Sequence, residues 1–346
     1  DTSILFLEWG DFTMSAREGA SGAKKVGLIW IFFILLVVSF FASMVFGAVK
    51  LPLNEIIHVL FHETETKHHL IIAEVRLPRS VIACIVGMCL GVSGCIMQGI
   101  TRNPLASPSI LGVTNGASLV TFALFIFAPS AYRLVPIAAF VGALATTLLI
   151  YTMAWKGGVN PTRFILSGVA VGSVISAVHS VLTTMFPDAL AGMVGFNVGS
   201  LSARTWDHVF LILPYALVAL VLSFLFSSKI NILGMGDEVA TGLGVKVEQV
   251  RMILIVLSSL LAACSVSVAG MIGFIGLCIP HMTRMVMGSD YRYLLPACAI
   301  TGATAMVLCD TLSRVIIAPK EMPVGVILSA IGAPFFLYLL RKQEKM

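Results

Sequence analysis

The sequence predicts an all-helical polytopic membrane protein of about ten spans, with both termini on the inner side. Three observations lead there. Of 346 residues, 58% are hydrophobic and only 11% are charged; a soluble domain carries about 25% charged residues and needs them to cover its water-facing surface. Mean hydropathy is +1.00, and the apolar residues fall into ten runs long enough to cross or nearly cross a bilayer. Lys and Arg also cluster on alternate sides of those runs. The net charge of +5 suits basic inner loops and, without a basic run interleaved with aromatics, implies no nucleic acid.

The runs are 26–49, 80–98, 109–128, 134–155, 164–186, 207–227, 251–270, 272–287, 293–312 and 323–340. Residues 1–25 form an N-terminal tail, of which 1–13 precede Met14 and read as translated upstream sequence. Lys24-Lys25 before the first run resembles a signal-peptide start, but the run is span-length and lacks a small-residue cleavage site, so a retained helix is expected. Residues 26–342 make one transmembrane domain, and 343–346 a C-terminal tail. Only Gly270-Met271 separates the seventh and eighth runs, which leaves open one long kinked helix. The eighth carries Pro280, His281 and Arg284 and is expected to be short.

With Lys24-Lys25 inside, ten spans return Arg341-Lys342 to the same side. The inner set is then Arg17, Lys24, Lys25, Arg102, Lys156, Arg163, Lys229, Lys246, Arg251, Arg284, Arg292, Arg341, Lys342 and Lys345, fourteen in all. The outer set is Lys50, Lys67, Arg76, Arg79, Arg133, Arg204, Arg314 and Lys320, which is eight. The excess of basic residues inside supports this orientation. It also makes Arg76, Arg79 and Arg314, all at span ends, stand out. Guanidinium groups grip carboxylates through two hydrogen bonds, so these three either receive acidic residues of a soluble partner or snorkel to headgroups.

Two loops exceed a minimal turn. The outer one, 50–79, holds Asn54-Glu55, His62-Glu63 and Lys67-His68-His69. The inner one, about 228–250, is amphipathic and broken by glycines. Its pattern predicts a short helix over Asp237–Leu243, with Asp237 near its N-terminus, and a second beginning at Val247. A connector needs only a handful of residues, so this loop is expected to dock something. Arg79 leading to Val92-Ser93-Gly94 and Pro104 is echoed by Arg251 leading to Val268-Ala269-Gly270 and Pro280, the sign of an inverted repeat.

No P-loop, H-E-x-x-H, G-x-S-x-G or dinucleotide fingerprint occurs. Mid-span carboxylates are nearly absent, with Asp207 and Asp310 near span ends, so a proton relay has only His179 and Asp310 to work with. The chain is therefore expected neither to hydrolyse nucleotide nor to couple protons itself, and to take its energy from a partner. Gly87/Gly91, Gly112/Gly116, Gly168/Gly172 and Gly195/Gly199 are G-x-x-x-G spacings that read as close helix contacts. The seven cysteines form no C-x-x-C pair and read as apolar packing. His179, Gln98 and Asn115 are candidates to line a path, and His179 alternatively bonds a neighbouring helix. No metal ligand set is expected.

Arg76-Leu77-Pro78-Arg79, Gly94, Gln98, Asn103-Pro104-Leu105-Ala106, Pro108, Leu111-Gly112 and Asn115-Gly116-Ala117 together resemble the FecCD-type permeases of type II ABC importers. So do Leu166-Ser167-Gly168-Val169-Ala170, Ala240-Thr241-Gly242-Leu243-Gly244, Ala269 through Leu277, Pro280-His281 and Arg284. Glu321 through Val326 and Gly332-Ala333-Pro334 extend the resemblance, which covers about residues 26–342. It implies a type II importer fold in a bacterial or archaeal cytoplasmic membrane. It implies a second permease subunit, identical or a close paralogue, and two cytoplasmic ATPase subunits that bind ATP and magnesium, with no cofactor on this chain. It implies an external binding protein whose glutamates meet Arg76, Arg79 and Arg314. Asp237, Glu238, Ala240, Thr241, Gly242, Leu243 and Gly244 would form the ATPase coupling loop, and Asn160-Pro161-Thr162 the region of the cytoplasmic gate. The implied cargo is a ferric siderophore moved by alternating access. Haem, suggested only by His68-His69 and His179, and cobalamin are the alternatives, and an ATP-independent secondary transporter or channel is the alternative class.

Overall fold

A computed structural model describes residues 22–47, 52–61, 68–108, 112–155 and 161–343. Among them the chain is helical throughout, without a β-strand. The first run becomes α1 (Gly22–Val45), followed by a short amphipathic α2 (Leu53–Phe61). A π-helical turn, Ile71–Arg76, leads without a break into α3 (Leu77–Thr101). Next come α4 (Val113–Phe127), α5 (Val135–Ala154) and α6 (Pro161–Met185). The twelve-residue α7 (Pro187–Val198) lies in a segment where no run was expected. Its length is too short for a span, which is why hydropathy passes over it.

The second half contains α8 (Trp206–Leu225), α9 (Ser227–Gly234), α10 (Asp237–Gly242) and α11 (Val247–Ala269). It ends with α12 (Ile275–Met287), α13 (Tyr291–Val315) and α14 (Val324–Gln343). Among the described residues each apolar run overlaps a helix, and seven helices are long and apolar enough to cross a membrane. The single kinked helix left open for the seventh and eighth runs does not form. Gly270 (φ +72°) and Phe274 (φ +66°) both leave the right-handed region, so the chain unwinds between α11 and α12.

α3, α11 and α13 form the buried centre, with α3 packed against both of the others. The approach is close because glycines remove side chains at the crossings. A Cβ on Gly94 would lie 1.8 Å from the Gly276 carbonyl oxygen of α12, and one on Gly87 2.3 Å from that of Gly302 on α13. Gly87/Gly91 is thus a packing pair, as its spacing suggests. Gly195/Gly199 is different: Gly199 lies just beyond α7 with φ +82°. The faint echo between α3 and α11 extends to their neighbours. α3 packs on α12 and α13, and α11 packs on α4 and α5; α4 meets α5 and α6, and α12 meets α13 and α14. α3 and α11 are joined inside the bundle by Ser93 Oγ, 2.6 Å from the Ser258 carbonyl and 2.8 Å from its Oγ.

Candidate functional site

The polar side chains gather at the two ends of this bundle. At one end stand Arg76, Arg79 and Arg314, all at least 94% buried. Arg79 is in the first turn of α3, just after Pro78. Its Nε donates to both Asp310 oxygens at 3.1 Å, its Nη2 to Oδ1 at 2.9 Å, and its Nη1 to Glu321 Oε2 at 2.7 Å. Arg314, one turn beyond Asp310 on α13, closes on the same carboxylate at 3.2 Å. Ser202 Oγ adds a 2.8 Å bond to Glu321. Burial works against ionising Glu321, but the Arg79 guanidinium outweighs it and holds the carboxyl below its usual range.

The other guanidinium bonds explain why arginines occupy an end where basic residues are scarce. The last four carbonyls of a helix have no partner within it, and that end carries partial negative charge. Arg76 Nη1 donates to the Met44 carbonyl and, at 3.2 Å, to that of Val45, while Arg314 Nη2 donates to the Ser43 carbonyl at 3.1 Å. The two arginines cap α1. Of the arginines expected either to receive a partner's carboxylates or to snorkel, Arg79 and Arg314 hold carboxylates of this chain.

At the opposite end the loop around 228–250 folds as its pattern predicts, with Asp237 opening α10 and Val247 opening α11. α9 precedes them. Gly236 (φ +113°) and Gly244 (φ +77°) bracket α10 and let the chain turn sharply there. Val239 and Leu243, one turn apart on and just past α10, are exposed, as is Met235 before it. Asp237 is exposed too, with its side chain 48% accessible, but it is tied back to the bundle. Arg251 Nη2 donates to both its oxygens at 2.9 Å, and Arg102 Nη2 bonds Oδ1. Burial disfavours the Asp237 charge, yet Arg251 and Arg102 prevail and lower its pKa. Nearby, Asn231 of α9 bonds Asp290, the N-cap of α13, at 2.9 Å. Bonds from Arg292, the burial they overcome, and Asn231 leave Asp290 with a pKa of about 2.

The candidate path residues separate. Gln98 is buried at the α3–α12 contact, donating to the Leu277 carbonyl and accepting from Arg284 Nη1, each at 3.1 Å. That face of α3 is covered within the subunit. Asn115 reaches the Gly172 carbonyl of α6 at 3.3 Å. His179 lies against Phe122 with ring centres 5.0 Å apart, and its Nε2 has no hydrogen-bond partner among the described residues. The interhelical bond expected of His179 is absent at that atom. His68, one of the histidines behind the haem alternative, bonds Glu55 through Nδ1 at 2.6 Å. Asn160 lies outside the described residues, while Pro161 and Thr162 open α6. Sequence reasoning missed Asp310, Glu321 and Arg102 as partners. Asp310 was visible as a rare carboxylate at a span end, and Arg102 as a charge in a turn.

Apolar helices around a glycine-packed centre, seven of them span-length among the described residues, with polar clusters at opposite ends, define a multi-pass membrane permease. The chain belongs to the FecCD transport family, whose model matches residues 35–342. It is 40% identical over 303 residues to the Fe(3+)-citrate import system permease protein YfmD of Bacillus subtilis (strain 168), covering 87% of this chain and 90% of that protein. It is 37% identical over 328 residues to the iron(3+)-hydroxamate import system permease protein FhuG of the same organism, covering 92% and 98%. Among solved structures, a metal-chelate type ABC transporter in an inward-facing conformation superposes with a TM-score of 0.82 at 30% identity, covering 91% of this chain and 99% of the other.

Proposed function

We propose that the chain is the membrane subunit of an ATP-driven importer that carries a bulky ferric chelate into the cytoplasm by alternating access. The observation that carries this reading is α10. It is a short helix outside the bundle, anchored to the core through Asp237, with Met235, Val239 and Leu243 exposed along it. An apolar helical face of this kind fits a groove on a partner, and the partner proposed is a cytoplasmic ATPase. The inner placement of this end rests on the basic residues gathered there.

The remaining assignments follow. A second permease subunit and two ATPases complete the complex. An external binding protein delivers the chelate at the Arg79 end. A partner's carboxylate reaches Arg79 by displacing Glu321, whose side chain is 33% exposed, rather than Asp310, whose side chain is 1% exposed. Ferric iron in an organic envelope is the cargo favoured by the names of the relatives above. For the haem alternative, His68 meets Glu55 through Nδ1 alone, and cobalamin has no residue in its favour.

The test is reconstitution in proteoliposomes with and without the cognate ATPase. ATP-dependent uptake requiring that subunit supports the reading. Uptake driven by an ion gradient with no ATPase present overturns it in favour of a secondary transporter. Asp310 offers that alternative little, since a carboxylate gripped by two guanidinium groups serves as an anchor.

A further inference from the structure

Arg102 occupies an unusual backbone position. It closes α3 in the left-handed region, with φ +48° and ψ +35°, where glycine or asparagine sits at lower cost than a long side chain. From that turn its Nε donates to the Leu233 carbonyl at 3.1 Å, and its Nη2 bonds the Asp237 carboxylate. Both acceptors belong to the loop that carries α10. One bond grips the end of α9 and the other the start of α10.

The same loop touches the other two central helices by different means. Arg251 of α11 shares the Asp237 carboxylate. Asn231 Oδ1 accepts from the Tyr291 amide at the start of α13 at 2.9 Å. These contacts are not equivalent for transmitting motion. α11 follows α10 after a short stretch of backbone, and Arg251 is 14 residues from Asp237. Arg102 is 135 residues away, so α3 has no short covalent route to α10. Any displacement of α10 reaches the end of α3 through side chains, and Arg102 makes two such bonds.

We propose that Arg102 is a transmission residue: through Leu233 and Asp237 it couples displacement of α10 to α3, so that α3 and α11, joined at Ser93 and Ser258, move together. The proposal rests on the reading of α10 as the surface an ATPase engages, and the test separates the two. The permease is reconstituted with its own ATPase and binding protein, and radioactive iron is offered in turn as ferric citrate, a ferric hydroxamate and hemin. Binding of the ATPase, ATP hydrolysis and iron imported per ATP are measured.

Arg102→Ala is expected to retain its ATPase and to import at least about fivefold less iron per ATP, within the usual range of coupling between sites. Arg102→Lys, which keeps the charge but loses the fork, is expected to fall between it and the parent. A merely structural Arg102 would lower assembly, hydrolysis and uptake together while leaving iron per ATP unchanged, and that result overturns the proposal. If Arg102→Ala fails to assemble, Asp237→Asn, which keeps the Leu233 bond, is read by the same ratio. Leu243→Asp probes the underlying reading: retained ATPase binding in that variant, or no import of any chelate by the parent, overturns the reading and the proposal with it.

Discussion

Asp310 is the residue on which the Arg79 end depends. Its carboxylate lies between two guanidinium groups that are themselves buried. Removing one member of a buried ion pair leaves uncompensated charge, typically at a cost of about 3–5 kcal/mol. Asp310→Ala is therefore expected to lower the thermal unfolding midpoint of the purified permease sharply. Glu321→Gln is expected to cost about 1 kcal/mol or less, because that carboxylate is partly solvated. Comparable losses for the two variants would contradict the burial argument. The same geometry decides how docking can be tested. Arg79→Glu would set a carboxylate against Asp310 and destabilise the chain, so charge reversal there cannot report on docking alone. Glu321→Gln instead removes the negative charge that competes for Arg79 Nη1 without disturbing Asp310, and is expected to tighten binding of the delivery protein; weaker binding would count against displacement of Glu321.

Elements meet here through backbone, and that makes some positions intolerant of a single methyl group. Gly94→Ala would drive its Cβ into the Gly276 carbonyl, where no flexible side chain can yield. The α3–α12 crossing must then open, with an expected loss of about 3 kcal/mol or more, measurable as a lowered unfolding midpoint. Gly242→Ala, with nothing within 4 Å, serves as the control. At the other end, α10 is held by Asp237, whose lowered pKa sets a pH dependence. A carboxyl with a folded pKa below its unfolded value of about 4 contributes its full stability above that value. The contribution is lost as pH falls through the lower folded value. Hydrogen exchange at α10 is accordingly expected to show an Asp237 contribution that is constant from about pH 5 to 8 and begins to decline only below about pH 4, and to lose that acid dependence in Asp237→Asn. The short helix itself was legible beforehand because a carboxylate after glycine and a Gly-x-Gly exit are local signals. α7 was not, since its residues look like a span too short to count.

Across the whole molecule, what the sequence reveals depends on whether a signal is local. Hydropathy places the apolar helices because each run reflects its own composition, and Arg76, Arg79 and Arg314 stand out because charge is rare at span ends. Their partners were hidden: Asp310 is 231 residues from Arg79 and Asp237 is 135 from Arg102, separations that no periodicity spans. Those distant pairs make α3 a continuous link between the ends, from Arg79 in its first turn to Arg102 after its last. Linkage then yields a prediction for the assembled importer. If nucleotide at the Asp237 end changes the affinity for the binding protein at the Arg79 end by some factor, the binding protein must change nucleotide affinity by the same factor. With α3 as the link, Arg102→Ala is expected to move both factors toward one in parallel. Titrating the binding protein with and without a non-hydrolysable ATP analogue, and the analogue with and without the binding protein, measures both. Factors that keep their parental size in Arg102→Ala would show that the two ends communicate by a route that bypasses the Arg102 contact.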